Sequence, residues 1–300
     1  MRRTGVLLQD AGRYTHNILT KHRRSTPLIS TLSRIFEVLQ FAVDGDHPRR
    51  KEIANAYARF HLRKVLAKAS GRSLRSFELL GTQIHFVDPG AFQFLLSEIF
   101  IDGVYKHSRQ KPATVLDCGS NIGMSILYFK TLWPETKITG VEASPDTFVL
   151  LRKNVEGMSD VRLVNAAVSD RHGTMAFYPS SPNSMTGSTN ALRSGGEATM
   201  VRTIPLSDLV TEPIDLLKID IEGSETAAFT ELEQSGRIRM IREMLIEYHY
   251  NLPGENHSLT DFLDRLTRCG FEYEVSGNLP DTFGECHDMF IWARRREGAA

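Results

Sequence analysis

The sequence predicts an α/β fold, in which a mostly parallel sheet is covered by helices on both faces and preceded by a helical N-terminal extension. Two observations support this prediction. From Ala113 onward, short apolar runs typical of strands alternate with longer runs typical of helices, which indicates consecutive βαβ units. Before residue 76, apolar residues recur mainly at helical spacing. We therefore divide the chain into a helical extension, residues 1–75, and an α/β domain, residues 76–300.

Two helices are predicted in the extension, on either side of a turn at Asp44-Gly45-Asp46. Their apolar residues are Leu28, Leu32, Ile35, Phe36, Leu39 and Val43 in the first helix and Ile53, Tyr57, Phe60 and Val65 in the second. These apolar faces could pack within the chain or against a second copy, so we expect a possible homodimer through the N-terminal helices. A strand-like stretch over residues 77–87 and a helix over 91–101 follow, and we expect Phe92, Phe100 and Tyr105 in the core.

The α/β alternation predicts five strands and four helices before a final strand pair. The strands span residues 113–117, 138–142, 161–167, 214–220 and 244–248, and the helices span 122–132, 145–155, 224–234 and 258–269. Runs 271–275 and 289–293 have no helix between them, which predicts an antiparallel pair at one edge of the sheet. Residues 179–200 are rich in Pro, Ser, Asn, Gly and Thr, so we expect a structureless insert in which residues 185–190 form either a lid or a disordered loop.

Composition and charge exclude several classes of protein. With 41% apolar and 24% charged residues, the 300-residue chain is neither disordered nor fibrous. Its net charge of zero hides an asymmetry, because residues 1–75 carry 16 basic and 5 acidic residues, a charge of +11, and the remainder carries −11. Basic helices could neutralise the acidic body or hold an anionic partner such as RNA. The extension lacks aromatic residues interleaved with its charges, which disfavours nucleic acid.

Cysteine usage and hydropathy predict the compartment. The three cysteines, Cys118, Cys269 and Cys286, have no CxxC spacing, which argues against a disulfide framework and a structural zinc site. No run of 18 apolar residues occurs, so we expect no membrane span. These observations predict a cytoplasmic protein.

Ligands of such a sheet bind beyond the carboxyl ends of its strands. The first of these ends is followed by Gly119 and Gly123, which allow a sharp turn and a close approach of the backbone to a ligand. A dinucleotide fold would also have glycines where Asn121 and Met124 stand, so an NAD-dependent oxidoreductase is disfavoured. Asp117 at the strand end would repel a pyrophosphate and attract an ammonium group.

The second strand ends in Glu142, a carboxylate that can accept both hydroxyls of a ribose. Ser144 followed by Pro145 is typical of the start of the next helix. Together, the first two strand ends fit a nucleoside that carries an amino acid.

The chain resembles the FkbM family of class I S-adenosylmethionine-dependent methyltransferases from about residue 77 to its end. Five ordered motifs carry the resemblance: Leu116-Asp117-Cys118-Gly119-Ser120-Asn121-Ile122-Gly123, Val141-Glu142-Ala143-Ser144-Pro145, Asn165-Ala166-Ala167-Val168-Ser169-Asp170, Leu217-Lys218-Ile219-Asp220-Ile221-Glu222-Gly223-Ser224-Glu225 and Ile246-Glu247-Tyr248-His249. The resemblance implies a Rossmann-like, seven-stranded sheet of order 3-2-1-4-5-7-6, with S-adenosylmethionine as the cofactor.

The resemblance also implies roles for individual residues. Asp117, Gly119, Asn121 and Gly123, with Ser120 in the same loop, would hold the methionyl part of the cofactor. Glu142, with Ala143 and Ser144 beside it, would bind the ribose, and Asn165 with Ala166 would bind the adenine edge. Asp220 would contact the cofactor's amino group or the acceptor.

Methyl transfer from a sulfonium mainly requires that the two reactants are positioned. A hydroxyl acceptor also needs a base that takes its proton. The catalytic candidates are His249, Asp220 and Lys218. His249 is the preferred general base because imidazole titrates in the useful range, with a structural histidine as the alternative. For Lys218 a buried ion pair is the alternative. Asp220, Glu222 and His249 could instead ligate Mg²⁺, but the Asp, Asp, Asn pattern of metal-dependent relatives is absent, so we expect no metal.

The sequence therefore predicts a methyltransferase that acts on a hydroxyl oxygen of a small molecule. The resemblance points to a sugar, a glycolipid or a polyketide-type natural product as the acceptor. A nitrogen acceptor, RNA held by the basic extension, or a non-catalytic scaffold remain alternatives.

Overall fold

A computed structural model of the protein describes residues 27–106, 111–179, 187–188, 197–252, 258–277 and 286–298. The α-helices in these ranges are α1 (Pro27–Asp44), α2 (Arg50–Ala69), α3 (Pro89–Leu95), α4 (Met124–Leu132), α5 (Pro145–Asn154), α6 (Leu206–Leu209), α7 (Glu225–Gln234) and α8 (Leu259–Arg268). A π-helical turn, Leu96–Ile101, continues α3, and a 3₁₀ turn, Arg237–Met240, precedes the strand β11. The strands are β1 (Ser76–Leu79), β2 (Thr82–His85), β3 (Thr114–Cys118), β4 (Lys137–Glu142), β5 (Val161–Asn165), β6 (Ala167–Ser169), β7 (Gly173–Pro179), β8 (Gly187–Ser188), β9 (Thr199–Pro205), β10 (Ile214–Ile219), β11 (Ile241–Tyr250), β12 (Phe271–Gly277) and β13 (His287–Arg295).

A seven-stranded sheet of order β12-β13-β11-β10-β3-β4-β5 forms the centre of the α/β domain. The neighbours from β11 to β5 pair in parallel, and β13 pairs antiparallel with both β11 and β12. The structure thus confirms the predicted α/β class, the edge pair and the strand order 3-2-1-4-5-7-6. Every predicted run from 113 to 269 contains an element of the expected type.

Both faces of the central sheet are buried, as the near-continuous apolar strands require. Consecutive residues of β3 show the alternation, because Val115 packs into one apolar cluster and Leu116 into another. The first cluster includes residues from α2, α3, α4 and α5, and the second includes residues from α6, α7 and α8. Helices therefore cover both faces, and the loops that follow the parallel strands lie along the edge formed by their carboxyl ends, here called the open edge.

The extension packs on the α/β domain through α2. The Phe60 ring lies 5.1 Å from that of Phe77 and 4.7 Å from that of Phe92, in edge-to-face geometry. Phe92, Phe100 and Tyr105 are buried, which confirms their predicted place in the core.

The first predicted helix, α1, is present, but the apolar face that predicted it is turned to solvent over its described side chains. Ile35, Phe36, Leu39 and Val43 are all exposed. Periodicity predicts that a helix has an apolar face and says nothing about which surface covers that face.

Besides the two-stranded sheet β1-β2, the structure has a four-stranded sheet, here called the second sheet, which the sequence patterns did not predict. It has the order β6-β9-β7-β8 and lies between β5 and β10 in the chain. The expectation of a structureless insert over 179–200 was wrong at its ends, because β7 ends at Pro179 and β9 begins at Thr199, and wrong at 187–188, which form β8. The other residues of the expected lid at 185–190 lie outside the described residues. The strand predicted over 161–167 is also divided, with β5 in the main sheet and β6 in the second.

Among the described helices, we find none that has both the length and the apolar character needed to cross a membrane.

Candidate active site

The loop between β3 and α4 is held tightly at the open edge of the sheet. Gly119 has a φ of +88°, and a Cβ at this position would lie 1.8 Å from the carbonyl oxygen of Asp220. The N–H groups of Gly119 and Ser120 both donate to Val141 O at 2.9 Å. Gly123, with a φ of +91°, precedes the first residue of α4. The predicted glycine turn therefore joins β3, β4 and β10, and it leaves Asn121 partly exposed at its tip.

Asp117 and Ser120 lie behind this loop and are buried. Ser120 Oγ donates to Asp117 O at 2.9 Å. The Asp117 carboxylate accepts a 2.6 Å hydrogen bond from Ser125 Oγ, and its Oδ1 lies 3.2 Å from Lys218 Nζ. Asp117 has no exposed surface. The position of Asp117 at the strand end predicted a neighbouring ammonium group. In the structure that ammonium group belongs to Lys218.

Lys218 is the buried cation of the site. Its Nζ donates to Gly119 O at 2.9 Å and to Asp220 Oδ2 at 3.3 Å, and it lies 5.7 Å from the ring centre of Tyr105. Burial by itself lowers the pKa of Lys218, but the charges of Asp117, Tyr105 and Asp220 outweigh burial and raise that pKa well above its usual value. This shift favours the charged form of Lys218, in the buried ion pair that the sequence left as an alternative.

Glu142 ends β4 with a buried carboxylate. Its Oε2 accepts from the N–H of Asn121 at 3.0 Å, and its Oε1 accepts from the N–H of Ser144 at 2.8 Å. Burial raises the pKa of Glu142 to about 7, although these two backbone donors oppose the rise. Each oxygen keeps a further lone pair, so the carboxylate can accept two more hydrogen bonds from a diol.

The residues beside Glu142 hold this strand end in place. Ser144 Oγ accepts from Thr147 N at 3.3 Å and caps α5. Asn165 Nδ2 donates to the carbonyl oxygens of Glu142 and Ala143, at 2.8 and 3.2 Å. The N–H of Ala166 donates to Glu142 O at 3.1 Å. The residues predicted for the adenine edge therefore lie next to Glu142, with their amide hydrogens already bonded to backbone.

His249 lies near the end of β11 with a buried side chain. Its Nδ1 is 2.8 Å from Glu225 Oε1, and its Nε2 is 3.3 Å from Glu222 Oε2 and 3.6 Å from Asp288 Oδ1. Glu225 is buried too, and its Oε1 also accepts from the N–H of Gly223 at 3.0 Å. Burial would raise the pKa of Glu225, but the charge and hydrogen bond of His249 lower it below its usual value.

Glu225 and Asp288 are site residues that the sequence analysis missed. Glu225 lies at the end of the fourth motif, beyond a turn, where strand alternation no longer indicates direction. Asp288 belongs to β13, and the antiparallel pairing of β13 with β11 sets it opposite His249. The glutamate of the motif was visible in the sequence, whereas no signal pointed to Asp288.

Two overlapping groups of side chains have the spacing of metal ligands. Asp220, Glu222 and His249 form one, and Glu247, His249 and Asp288 form the other, with the ligand atoms of each group within 4.8 Å of one another. Burial, followed by the charge of Asp220, raises the pKa of Glu247 well above its usual value, which favours its neutral form. The geometry thus allows a divalent ion, but it also suits a cationic ligand, because both would offset this negative charge.

Cys118 has no place in this chemistry. It is buried between Asp117 and Gly119, and burial raises the pKa of its thiol. A thiol held in its protonated form is a packing residue rather than a nucleophile.

The α/β domain is similar to known methyltransferases. A family model described as the methyltransferase FkbM domain matches residues 117–273. The solved structure of methyltransferase FkbM from Methylobacillus flagellatus KT has 13% sequence identity and a TM-score of 0.42, over 88% of this chain and 59% of that chain. Our chain thus spans less than two thirds of that protein.

Two curated relatives are similar over about half of this chain. Methyltransferase sdnD from Sordaria araneosa is 26% identical over an alignment of 192 positions, which covers 52% of this chain and 74% of the relative. The 31-O-demethyl-FK506 methyltransferase FkbM from Streptomyces tacrolimicus is 31% identical over an alignment of 207 positions, which covers 56% of this chain and 79% of the relative. Since the family model covers more than half of the chain and includes all the strand ends described above, this chain belongs to the FkbM family of methyltransferases.

Proposed function

We propose that the protein transfers a methyl group from S-adenosylmethionine to a hydroxyl oxygen of a small molecule. The observation that carries this proposal is the buried carboxylate of Glu142, which has two backbone donors and spare acceptor capacity at the end of β4. A buried carboxylate costs free energy unless its acceptors are used, and a ribose diol uses them.

The residues of the site fit S-adenosylmethionine in their donor and acceptor chemistry. Glu142 would accept the ribose hydroxyls, and Asn165 borders the neighbouring adenine position. The partly exposed Asn121 and Asp220 would meet the methionyl part, whose ammonium group suits the Asp220 carboxylate. Bound there, the cofactor supplies an electrophilic methyl group. Asp117 and Lys218, being buried, would fix the loop from behind rather than touch the cofactor.

His249 would take the proton of the acceptor hydroxyl. The Glu225 carboxylate has acceptor atoms alone, so the ring donates its Nδ1–H to Glu225 and turns Nε2 toward the site. A proton that arrives at Nε2 creates an imidazolium, which Glu225 and Glu222 stabilise through their charges. In this pair Glu225 would orient His249, as the aspartate of a Ser-His-Asp triad orients its histidine.

Oxygen as the acceptor atom is supported by two relatives. One is named for 31-O-demethyl-FK506. The other, the 2-O-methyltransferase NoeI of Sinorhizobium fredii, is 28% identical over an alignment of 138 positions, which covers 39% of this chain and 56% of that protein. A base is also required for a hydroxyl acceptor, which is the role that the buried His249 offers. The acceptor classes we propose remain a sugar, a glycolipid or a polyketide-type natural product.

The proposal is tested by incubating the protein with methyl-labelled S-adenosylmethionine and small-molecule extracts, followed by isolation of the labelled product. We expect a methyl ether whose formation is lost in His249→Ala. A methylamine product would contradict oxygen transfer, and label in the RNA fraction would favour the RNA alternative. Absence of any product, despite cofactor binding, would support a non-catalytic scaffold.

A further inference from the structure

Helix α1 presents an apolar surface to solvent. Ile35, Phe36, Leu39 and Val43 lie on one side of the helix, and they are between 51% and 69% exposed. Single exposed apolar residues are ordinary, but four large ones aligned on one helix face indicate a surface that another body covers.

Two charged residues of α1, Arg34 and Glu37, point the other way, toward the protein, whereas Asp44 at the end of the helix is exposed. Arg34 Nη1 lies 2.7 Å from Glu37 Oε2 and 2.8 Å from Asp102 Oδ1, and its guanidinium lies 5.7 Å from the ring centre of Tyr57. Val38, on this inner side, is buried. A helix that packs on its own domain alone has the opposite polarity, with apolar residues inward and charges outward. The outer face of α1 is therefore built for a second contact.

Helix α2 packs against α1 and has exposed apolar and basic residues of its own. Leu62, Val65 and Leu66 are between 50% and 58% exposed. The exposed basic residues of α2 are Lys51, Arg59, Arg63 and Lys68. The guanidinium groups of Arg59 and Arg63 lie over the Phe77 ring, at 5.4 and 5.6 Å from its centre, so Lys51 and Lys68 are the two that make no such contact with the domain.

The acidic residues near α2 do not cancel this charge. Glu52 pairs with Arg49 at 2.6 Å, and Asp46 pairs with Lys106. The outside of the α1–α2 hairpin thus combines apolar side chains with an excess of positive charge.

We propose that the outer face of the α1–α2 hairpin docks on an anionic lipid surface. Apolar side chains would enter the boundary between headgroups and acyl chains, and the basic residues would meet the anionic headgroups, as in interfacial amphipathic helices. The proposal describes a helix pair that lies on a bilayer, which agrees with the absence of a span-forming helix among the described residues. It does not depend on methyl transfer.

Charge selects the lipid surface over two other occupants. A second copy would bring two extensions of +11 each against one another, which repulsion opposes. Residues 1–26 carry six basic residues and one acidic residue, so they too would add positive charge to the surface instead of neutralising it. An anionic bilayer is the complementary occupant.

Vesicle sedimentation with the full chain tests the proposal. Wild type is mixed with vesicles of phosphatidylcholine alone, or of phosphatidylcholine with phosphatidylserine, at low salt and at about 0.5 M NaCl, where surface charges are screened. We expect at least tenfold more bound protein on the anionic vesicles, and loss of that preference in high salt. Phe36→Glu and, independently, the pair Lys51→Glu with Lys68→Glu should abolish binding. Val149→Glu, at a position that is 63% exposed on α5, is the matched control and should bind normally.

Three results would overturn the proposal. The first is no binding to either vesicle, and the second is equal binding to both without salt dependence. The third is a dimer in sedimentation equilibrium that Phe36→Glu dissociates while vesicles fail to bind, since a second copy would then be the occupant. The substituted positions are exposed and lie outside the core, so the variants should keep the wild-type circular dichroism spectrum.

Discussion

The Nδ1 atom of His249 lies 2.8 Å from Oε1 of Glu225, and both side chains are buried at the open edge of the sheet. The two residues come from β11 and the start of α7, 24 positions apart in the chain. A buried carboxylate on one ring nitrogen holds the ring orientation and its tautomer, and the other nitrogen then faces Glu222 and Asp288 at the candidate site.

Glu225→Gln should lower the rate of methyl transfer by roughly 10²-fold, because a neutral amide no longer stabilises the imidazolium formed on proton transfer. The KM for the acceptor and the affinity for the cofactor should change little. Steady-state kinetics measure the rate, and the matched control is Glu212→Gln, which alters an exposed glutamate.

The double variant His249→Ala with Glu225→Gln should be no slower than His249→Ala alone, since both residues act in one unit. Fully additive losses would contradict the assignment of Glu225 as the positioning residue of His249. That assignment would also be contradicted if Glu225→Gln kept the wild-type rate but bound the cofactor weakly.

Cofactor affinity should fall at acid pH because of Glu142. Ribose hydroxyls favour the carboxylate, so binding should lower the pKa of Glu142 from about 7 and release a proton below that pH. The cofactor affinity should reach its full value above a pH of about 7 and fall by about tenfold for each pH unit below it. Titration calorimetry in buffers of different ionisation enthalpy measures both effects. Glu142→Gln should bind weakly at every pH, and a pH dependence that persists in this variant would place the titrating group elsewhere.

Lys218→Met should reduce the free energy of unfolding by about 3–5 kcal/mol, because it leaves the carboxylate of Asp117 buried without a cation. Adding Asp117→Leu should restore much of that loss, since the pair is then replaced by apolar groups. Urea denaturation measures both free energies, and Lys137→Met, at an exposed position, is the control. A Lys218→Met variant as stable as wild type would mean that Asp117 finds another partner.

Methyl transfer should be insensitive to chelators. Lys218 and His249 already lie 3.3 Å from Asp220 and Glu222, and the raised pKa of Glu247 favours its uncharged form. The Lys218 cation and a proton on Glu247 thus offset part of the negative charge of this cluster without a divalent ion. Activity lost in EDTA and restored by Mg²⁺ or Mn²⁺ would contradict this prediction, and would assign the cluster to a metal.

Much of the fold follows from local patterns. The neighbours Val115 and Leu116 face opposite apolar clusters, which is why a continuous apolar run predicts a buried parallel strand. Gly119 and Glu142 follow their strands directly, so the topology rule alone places them at the ligand edge.

The sequence patterns could not predict contacts between elements that are far apart in the chain. The pairing of Lys218 with Asp117 depends on the register of β10 beside β3, and Asp288 reaches His249 through the pairing of β13 with β11. Strands β7 and β9 flank a polar segment whose composition is typical of a loop, which hid the second sheet. The exposed face of α1 is a further example. The apolar period predicts that the helix has such a face, but it does not predict which surface covers that face.

The most direct test of the proposed function is a calorimetric titration of S-adenosylhomocysteine into wild type, Glu142→Ala and the exposed-glutamate control Glu156→Ala, with NAD as a comparison ligand. We predict saturable binding to wild type and to Glu156→Ala, a loss of binding in Glu142→Ala, and no binding of NAD. Wild type that fails to bind S-adenosylhomocysteine, or Glu142→Ala that binds it as tightly as wild type, would contradict the cofactor site described above.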